Sequence, residues 1–344
     1  MQSSVYILYT GGTFGMKNTT EGLQPSTWDE IIAYLPAIKN QNYFHYYSEI
    51  DFTFDTLEPV VDSSDITPND WQRIAQSIEK NYDQHDGFII IHGTDTLAYT
   101  SSALSFIFEH LTKPIVLTGA QLPIFHPRTD GIVNLSNAIY IAGYKHFSLP
   151  CIPEVCICFN DDVLRGNRAV KTSTNDFEGF SSPNFDNLAH LEQNITINTH
   201  LLQKNTNLPL DIKSTFSHRV VNVTVFPGYN PEILIDLVSK GKLEGIVLRT
   251  FGAGNLPSGK RWDDLFTTCK ENNTIILATT QCPNGKIELG QYALSNVLKN
   301  AVVVVDGKDI TPEAALTKLM WVIGNYPYAE RIGMLSRNLR GETS

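Results

Sequence analysis

Positive charge is scarce in this chain. Its 26 Lys and Arg residues are outnumbered by 36 Asp and Glu among 344 residues, for a formal net charge of -10. No run of Lys or Arg forms the basic stripe that a phosphate backbone requires, so nucleic acid is not expected as a partner. Long apolar runs are missing too: no stretch approaches the roughly 18 residues of a membrane helix. Met1 to Ser4 lead straight into the apolar run Val5–Tyr9, with neither the basic segment nor the long apolar core of a secretory leader. The expected setting is therefore the cytoplasm, away from membranes. Cysteine is sparse and odd in number (Cys151, Cys156, Cys158, Cys269, Cys282), and a chain of this size needs no staples, which fits reduced thiols. Cys156 and Cys158 share one face of a short apolar strand, but no second pair completes a metal site, so core packing is the reading for both. There is no Gly-x-Ser-x-Gly elbow and no His-Glu-x-x-His helix, and the glycine-rich turns lack the P-loop lysine and the dinucleotide spacing. Neither a metal nor a cofactor is expected.

What is present is a globular composition, 42% hydrophobic and 18% charged, on a length that favours two domains. Short runs rich in β-branched residues recur at Val5–Tyr9, Phe88–Ile91, Ile115–Leu117, Val155–Phe159, Val220–Val225, Gly245–Leu248, Thr274–Ala278 and Val302–Val305. Helical patterns separate most of them, the signature of a parallel α/β sheet. Thr67-Pro68-Asn69-Asp70 is a helix start, with a capping threonine, proline at the first helical position and an acid in the first turn; Trp71, Ile74, Ala75 and Ile78 supply its apolar face. Thr311-Pro312-Glu313 repeats that start ahead of Ala315, Leu316, Leu319 and Met320. Between the two halves, a stretch rich in Asn and Thr shows weak periodicity. The expected organisation is an N-terminal domain over residues 1–192, a linker over 193–216 and a C-terminal α/β domain over 217–344.

Three places in the N-terminal half share one plan, an apolar strand followed by a turn of small and hydroxyl residues: Tyr9-Thr10-Gly11-Gly12-Thr13, His92-Gly93-Thr94-Asp95-Thr96 and Thr118-Gly119-Ala120. Ligands of an open parallel sheet bind outside the carboxyl ends of its strands, so these turns are expected to meet at one crevice. A threonine hydroxyl becomes a nucleophile once a base takes its proton, and glycines let the backbone approach a substrate and offer N–H donors to an oxyanion. Each motif has a plainer reading as well. Gly11 and Gly12 can simply make a tight turn, Asp95 can cap the helix through Ala98, Ala103, Leu104 and Ile107, and His92 reads as a hydrogen-bonded structural residue.

These motifs, with VDSSDITPNDW, VLTGAQLP, LRGNRAVKTSTNDFEGFSSPN, LRTFGAGNLP and the terminal NLRGE, resemble the bacterial-type asparaginases, and among them the cytoplasmic type I branch. The resemblance covers essentially the whole chain. It implies a flavodoxin-like N-terminal domain with a mostly parallel sheet, a smaller C-terminal α/β domain, and homodimers or homotetramers. It implies hydrolysis of L-asparagine to L-aspartate and ammonia, with Thr13 attacking the side-chain carbonyl to form an acyl-threonine. Thr94, Asp95 and Lys171 would form a second constellation, in which a lysine removed from water takes a proton and the carboxylate orients it. The implied substrate-binding set is Asp62, Ser63, Thr94, Asp95 and Ala120, with Asp95 on the α-ammonium and Ser63 on the α-carboxylate. In many members a tyrosine on a mobile loop assists the first nucleophile; here Leu23 stands at that place, which leaves water, Tyr9, Thr10 or Lys171 to take the proton from Thr13. Residues Gly15 to Trp28 are the expected lid. Some type I members carry a second, activating asparagine site, and Arg249, Cys282 and Val170 are its candidates here, Val170 where a threonine would be expected. Alternatives within the resemblance are a dual glutaminase–asparaginase, the amidase subunit that acts on glutamyl-tRNA, and a catalytically silent asparagine sensor. Hydrolysis of a lipid ester has only fold-level analogy behind it.

Overall fold

A computed structural model describes residues 3–20, 22–34, 49–206, 208–289 and 303–344. Two compact units emerge: Met1–Ser182 with Asp186–Ile212, and Pro183–Phe185 with Lys213–Ser344. Within the stretch 193–216, Ile195–Ile197 and Asp211–Ile212 are short strands of the first unit, pairing respectively with Ala189–Leu191 and Phe108–Glu109.

The first unit is built on an eight-stranded sheet. Its heart is five parallel strands that lie side by side in the order Ile50–Thr56, Ser3–Tyr9, Gly87–Ile91, Ile115–Thr118, Val155–Phe159. Numbered along the chain this is 2-1-3-4-5, the flavodoxin-like order, with its topological switch between the first and third strands. The three short strands beyond Val155–Phe159 run antiparallel to their neighbours. The sequence explains why the middle strands are central. Gly87–Ile91, Ile115–Thr118 and Val155–Phe159 are buried at every residue, as unbroken apolar runs must be when helices cover both faces. Cys156 and Cys158 are wholly buried in one of these strands, and burial pushes both thiols up. Ile50–Thr56 is different. Ile50 is buried while the residues after it are exposed or half-buried, an edge strand in which Asp51, Thr53 and Asp55 alternate with Phe52 and Phe54, not among the strands expected from sequence.

The helix Pro68–Asn69 onward, spanning Pro68–Asn81, starts where the capping signal places it: the Asp70 carboxylate accepts from the Thr67 backbone N–H at 2.9 Å and hydroxyl at 2.7 Å. Trp71, Ile74, Ala75 and Ile78 are its buried face.

The second unit has a four-stranded parallel sheet, ordered Val220–Thr224, Gly245–Thr250, Ile275–Thr280, Val304–Asp306. Of the expected strand Val302–Val305, Val302 lies outside the described residues. Helices Glu232–Ser239 and Lys260–Glu271 bury Leu234, Val238, Trp262, Leu265 and Phe266 against Val223, Ile246, Leu248 and Ile276. The helix Pro312–Asn325 brings Leu319 and Ile323 onto Gly245, where a side chain would collide with both. Its Thr311 caps the first turn by accepting from Ala314 N–H at 3.2 Å. Lys318, on the same helix, is buried; its ammonium donates to the Glu342 carboxylate at 2.6 Å and to the carbonyls of Leu335 (2.9 Å) and Arg337 (2.6 Å). Glu342 in turn accepts from the N–H groups of Leu339 and Arg340. The terminal NLRGE motif is thus the partner of a buried cation.

Candidate active site

Register decides where the three turns fall. Tyr9 stands beside Ile91 and Ile91 beside Thr118, so the three strands end in one row. The chain leaving each strand is tied to its neighbour: Thr10 N–H donates to the Ile91 carbonyl at 3.0 Å and His92 N–H to the Thr118 carbonyl at 2.8 Å. The first two turns flank the switch between strands one and three, where the connecting helices diverge and leave a crevice.

Glycine allows the turns to touch. Gly12 has φ 86°, and a Cβ there would collide with the backbone of Gly93. A Cβ on Gly93 would sit 2.5 Å from the Ser63 hydroxyl oxygen. One on Gly119 would strike the His92 carbonyl. The segments holding Thr13, Ser63, Thr94 and Ala120 are therefore in close contact, backbone to backbone at Gly12–Gly93 and Gly119–His92 and backbone to side chain at Gly93–Ser63, a closeness that favours glycine at these positions.

Thr13 begins a single 3-10 turn, Thr13–Gly15. The Thr10 hydroxyl donates to the Ile91 carbonyl at 3.0 Å. The Tyr9 phenol is buried with no hydrogen-bond partner among the described residues, and burial raises its pKa, so it keeps its proton. Neither is suited to be the base that the sequence leaves open. The expected lid is a hairpin, Met16–Thr19 against Gly22–Pro25, in which Leu23 lies opposite Asn18; Glu21 is outside the described residues.

In the second turn Thr94 is buried, and Lys171 reaches it from the strand Val170–Lys171, which pairs with Phe180–Ser181. The Lys171 ammonium donates to Thr94 Oγ1 at 2.9 Å and to Asp95 Oδ1 at 2.6 Å. These three residues lie together as the family pattern implies. Asp95 does not cap the following helix; that place belongs to Thr96, whose hydroxyl donates to the Ser63 carbonyl at 2.6 Å. Ser63 is buried, and Asp62 caps its short turn by accepting from Ser64 N–H at 2.9 Å and from the Ser64 hydroxyl at 2.8 Å.

His92 is buried and unavailable for proton transfer near neutral pH, its pKa lowered to about 4 by desolvation. The Gly93 carbonyl, 2.7 Å from Nδ1, can only accept, so Nδ1 carries the proton. Nε2 then accepts from the Thr100 hydroxyl at 3.0 Å, and Thr100 accepts from Trp71 Nε1 at 3.0 Å. This chain fixes the backbone just ahead of Thr94 from the helix behind it.

The third turn is pinned by residues that sequence reasoning missed. Asp130 accepts from the N–H groups of Gln121 (2.9 Å) and Leu122 (3.0 Å). Asn134, buried, donates to the Gly119 carbonyl at 3.0 Å and accepts from Asn160 N–H at 2.9 Å. Ala120, between these pinned residues, is fully buried. Among the described residues no group of His, Cys, Asp or Glu is arranged to hold a metal, and no helix is long and apolar enough to cross a membrane.

Residues 4–203 match the model of the N-terminal asparaginase domain, and residues 219–334 that of the glutaminase/asparaginase C-terminal domain. The chain belongs to the asparaginase family. It is 38% identical over 350 residues to the protein named L-asparaginase 1 from Escherichia coli (strain K12), covering 99% of this chain and 98% of that one. Its fold matches the solved L-asparaginase I of Vibrio cholerae with a TM-score of 0.88 at 37% identity over 100% of both chains. It also matches the L-asparaginase of Thermococcus kodakarensis with a TM-score of 0.87 at 30% identity over 99% of each. These likenesses place it with the type I asparaginases.

Of the residues that the resemblance implies for an activating asparagine, one is in the first unit and two are in the second. Val170 is in the first, next to Lys171; Arg249 and Cys282 are in the second. Arg249 Nε is buried with no hydrogen-bond partner among the described residues, and Cys282 is exposed. Burial raises the Glu313 carboxyl, and the nearby Arg249 charge partly offsets this.

Proposed function

We propose that this chain hydrolyses L-asparagine to L-aspartate and ammonia, with Thr13 as the first nucleophile. The observation that carries the reading is the triad of Lys171, Thr94 and Asp95, at 2.9 and 2.6 Å, on a turn whose backbone touches that of Thr13. In the reaction, Thr13 Oγ1 adds to the side-chain amide carbon and its proton passes to a base. Collapse of the adduct, with that proton delivered to the amide nitrogen, expels ammonia and leaves an ester on Thr13. Water, activated through Thr94 and Lys171, then adds to the ester carbon and releases aspartate with the threonine restored. Backbone N–H groups at the glycine turns stabilise the oxyanion. Asp95 receives the α-ammonium and Ser63 the α-carboxylate, with Asp62, which shapes the turn carrying Ser63, and Ala120 completing the binding set.

With Leu23 at the loop position, we assign the proton of Thr13 to water or Lys171, because Tyr9 stays protonated and the Thr10 hydroxyl is donated to Ile91. We place the protein in the cytoplasm, consistent with its five unpaired cysteines, and expect a homodimer or homotetramer. Arg249 and Cys282 are proposed contacts of an activating asparagine. Glutamine is longer by one methylene, which a pocket discriminates by only about 1–3 kcal/mol, so a weaker glutaminase activity is part of the proposal.

The test is ammonia release from asparagine and glutamine by the wild type, Thr13→Ala and Lys171→Ala. Release by the wild type that both substitutions abolish, with asparagine still raising the melting temperature of Thr13→Ala, supports the assignment. Full activity in Thr13→Ala refutes the nucleophile. Thermal stabilisation by asparagine without ammonia from the wild type means a sensor.

A further inference from the structure

Gln121 follows Ala120 in the third turn, and each end of its side chain is committed. Nε2 donates to two backbone carbonyls, of Asp176 at 2.9 Å and Ser173 at 3.3 Å. Both carbonyls belong to the loop that connects the strand bearing Lys171 to Phe180–Ser181. Carbonyls only accept, so the amide nitrogen faces that loop and the amide oxygen faces the other way. There it lies 3.4 Å from Thr94 Oγ1. Space has been cleared for the amide: a Cβ on Gly179 would stand 2.8 Å from Nε2. The loop is rigid in its own right, with the Ser173 hydroxyl accepting from Asn175 and Asp176 N–H and the Gly179 carbonyl accepting from Thr172 N–H. The Gln121 backbone is fixed by Asp130.

The donor count around Thr94 then determines its hydroxyl. An ammonium only donates, so Thr94 Oγ1 accepts from Lys171 and directs its own proton to Gln121 Oε1. We propose that Gln121 is a positioning residue for the hydrolytic machinery: it sets the direction of the Thr94 hydroxyl and fastens the hairpin that delivers Lys171. This role rests on the functional reading above. Gln121 acts through Thr94 and the loop that carries Lys171. While Lys171 is an ammonium, the Thr94 proton rests on Gln121. When Lys171 has given up a proton, the Thr94 proton turns to its nitrogen, and the amide oxygen is left free for the next cycle. No bond to carbon forms or breaks in this exchange.

The test uses Gln121→Met, which has the length but no polar atoms, and Gln121→Glu, which keeps an acceptor for Thr94 and loses the donors to the loop. Each is compared with the wild type in kcat, KM, pH–rate profile and melting temperature. Misplacement of the Thr94–Lys171 pair is expected to lower kcat of Gln121→Met by about 10- to 100-fold. KM for asparagine should stay within about threefold, since ground-state contacts are kept. Gln121→Glu should recover part of kcat and move the acid limb of the profile to higher pH, because an added carboxylate favours the protonated ammonium beside it. A wild-type kcat and pH profile in both variants overturns the proposal, as does a kcat loss that follows the melting temperature with an unchanged profile. A wild type that releases no ammonia from either amide overturns the functional reading and this role together.

Discussion

His92 gives a prediction whose size can be worked out. The imidazole is wholly buried, with its pKa lowered from 6.5 to about 4. The unfolded chain therefore binds a proton between these values that the folded chain refuses, and stability must fall as the pH drops through that window. The full difference of about 2.5 units corresponds to about 3.4 kcal/mol well below the lower value. Between about pH 7 and about pH 4.5 the expected loss is about 2.5 kcal/mol. In His92→Gln the titrating group is gone while an amide can still reach one of the two partners. Urea unfolding of wild type and variant at both pH values gives a double difference in which every other titrating group cancels. The variant, less stable at neutral pH, should lose about 2.5 kcal/mol less than wild type on acidification. Equal losses in the two proteins would show that His92 is protonated in the fold and refute the direction assigned to its hydrogen bonds.

Gly12→Ala places a methyl against the Gly93 backbone at φ 86°. It should cut activity by at least about 100-fold through misalignment of the two turns, a loss to be read from initial rates of ammonia release. An active Gly12→Ala enzyme would mean that the close approach is not needed. Glu342→Gln removes the charge opposite buried Lys318 and should cost about 3–5 kcal/mol in urea unfolding. Although burial opposes its ionisation, Lys318 and the N–H groups around it hold the Glu342 carboxyl low. That contribution is therefore present above the ordinary carboxylate pKa and is lost as pH falls through the depressed one, so wild type and Glu342→Gln should converge in acid.

Much of this was readable along the chain. The β-branched runs Phe88–Ile91, Ile115–Leu117 and Val155–Phe159 marked strands of a parallel α/β sheet, and the strands there are buried at every residue. The Thr-Pro starts marked the helices Pro68–Asn81 and Pro312–Asn325. Hydroxyls and glycines after strands marked Thr13 and Thr94. The strand Ile50–Thr56 escaped because an edge strand buries little and its alternation of Phe52 and Phe54 with polar residues is short. Lys171 stood out by resemblance alone, since a single lysine carries no local pattern. Gln121, Asp130 and Asn134 gave no signal, because amides and carboxylates in turns are common and only their partners distinguish them.

The sequence by itself determined which segments are strands and helices, which turns are free of bulky side chains and which hydroxyls stand in them, since periodicity, capping and glycine's access to positive φ are properties of a few neighbouring residues. Tertiary structure decided how closely these turns approach one another. Thr13, Ser63, Thr94, Ala120 and Lys171 meet because the five parallel strands lie in the order 2-1-3-4-5 with Tyr9, Ile91 and Thr118 in one row. Strand order and register follow from how whole helices and sheet faces bury one another, which no local stretch of the chain encodes.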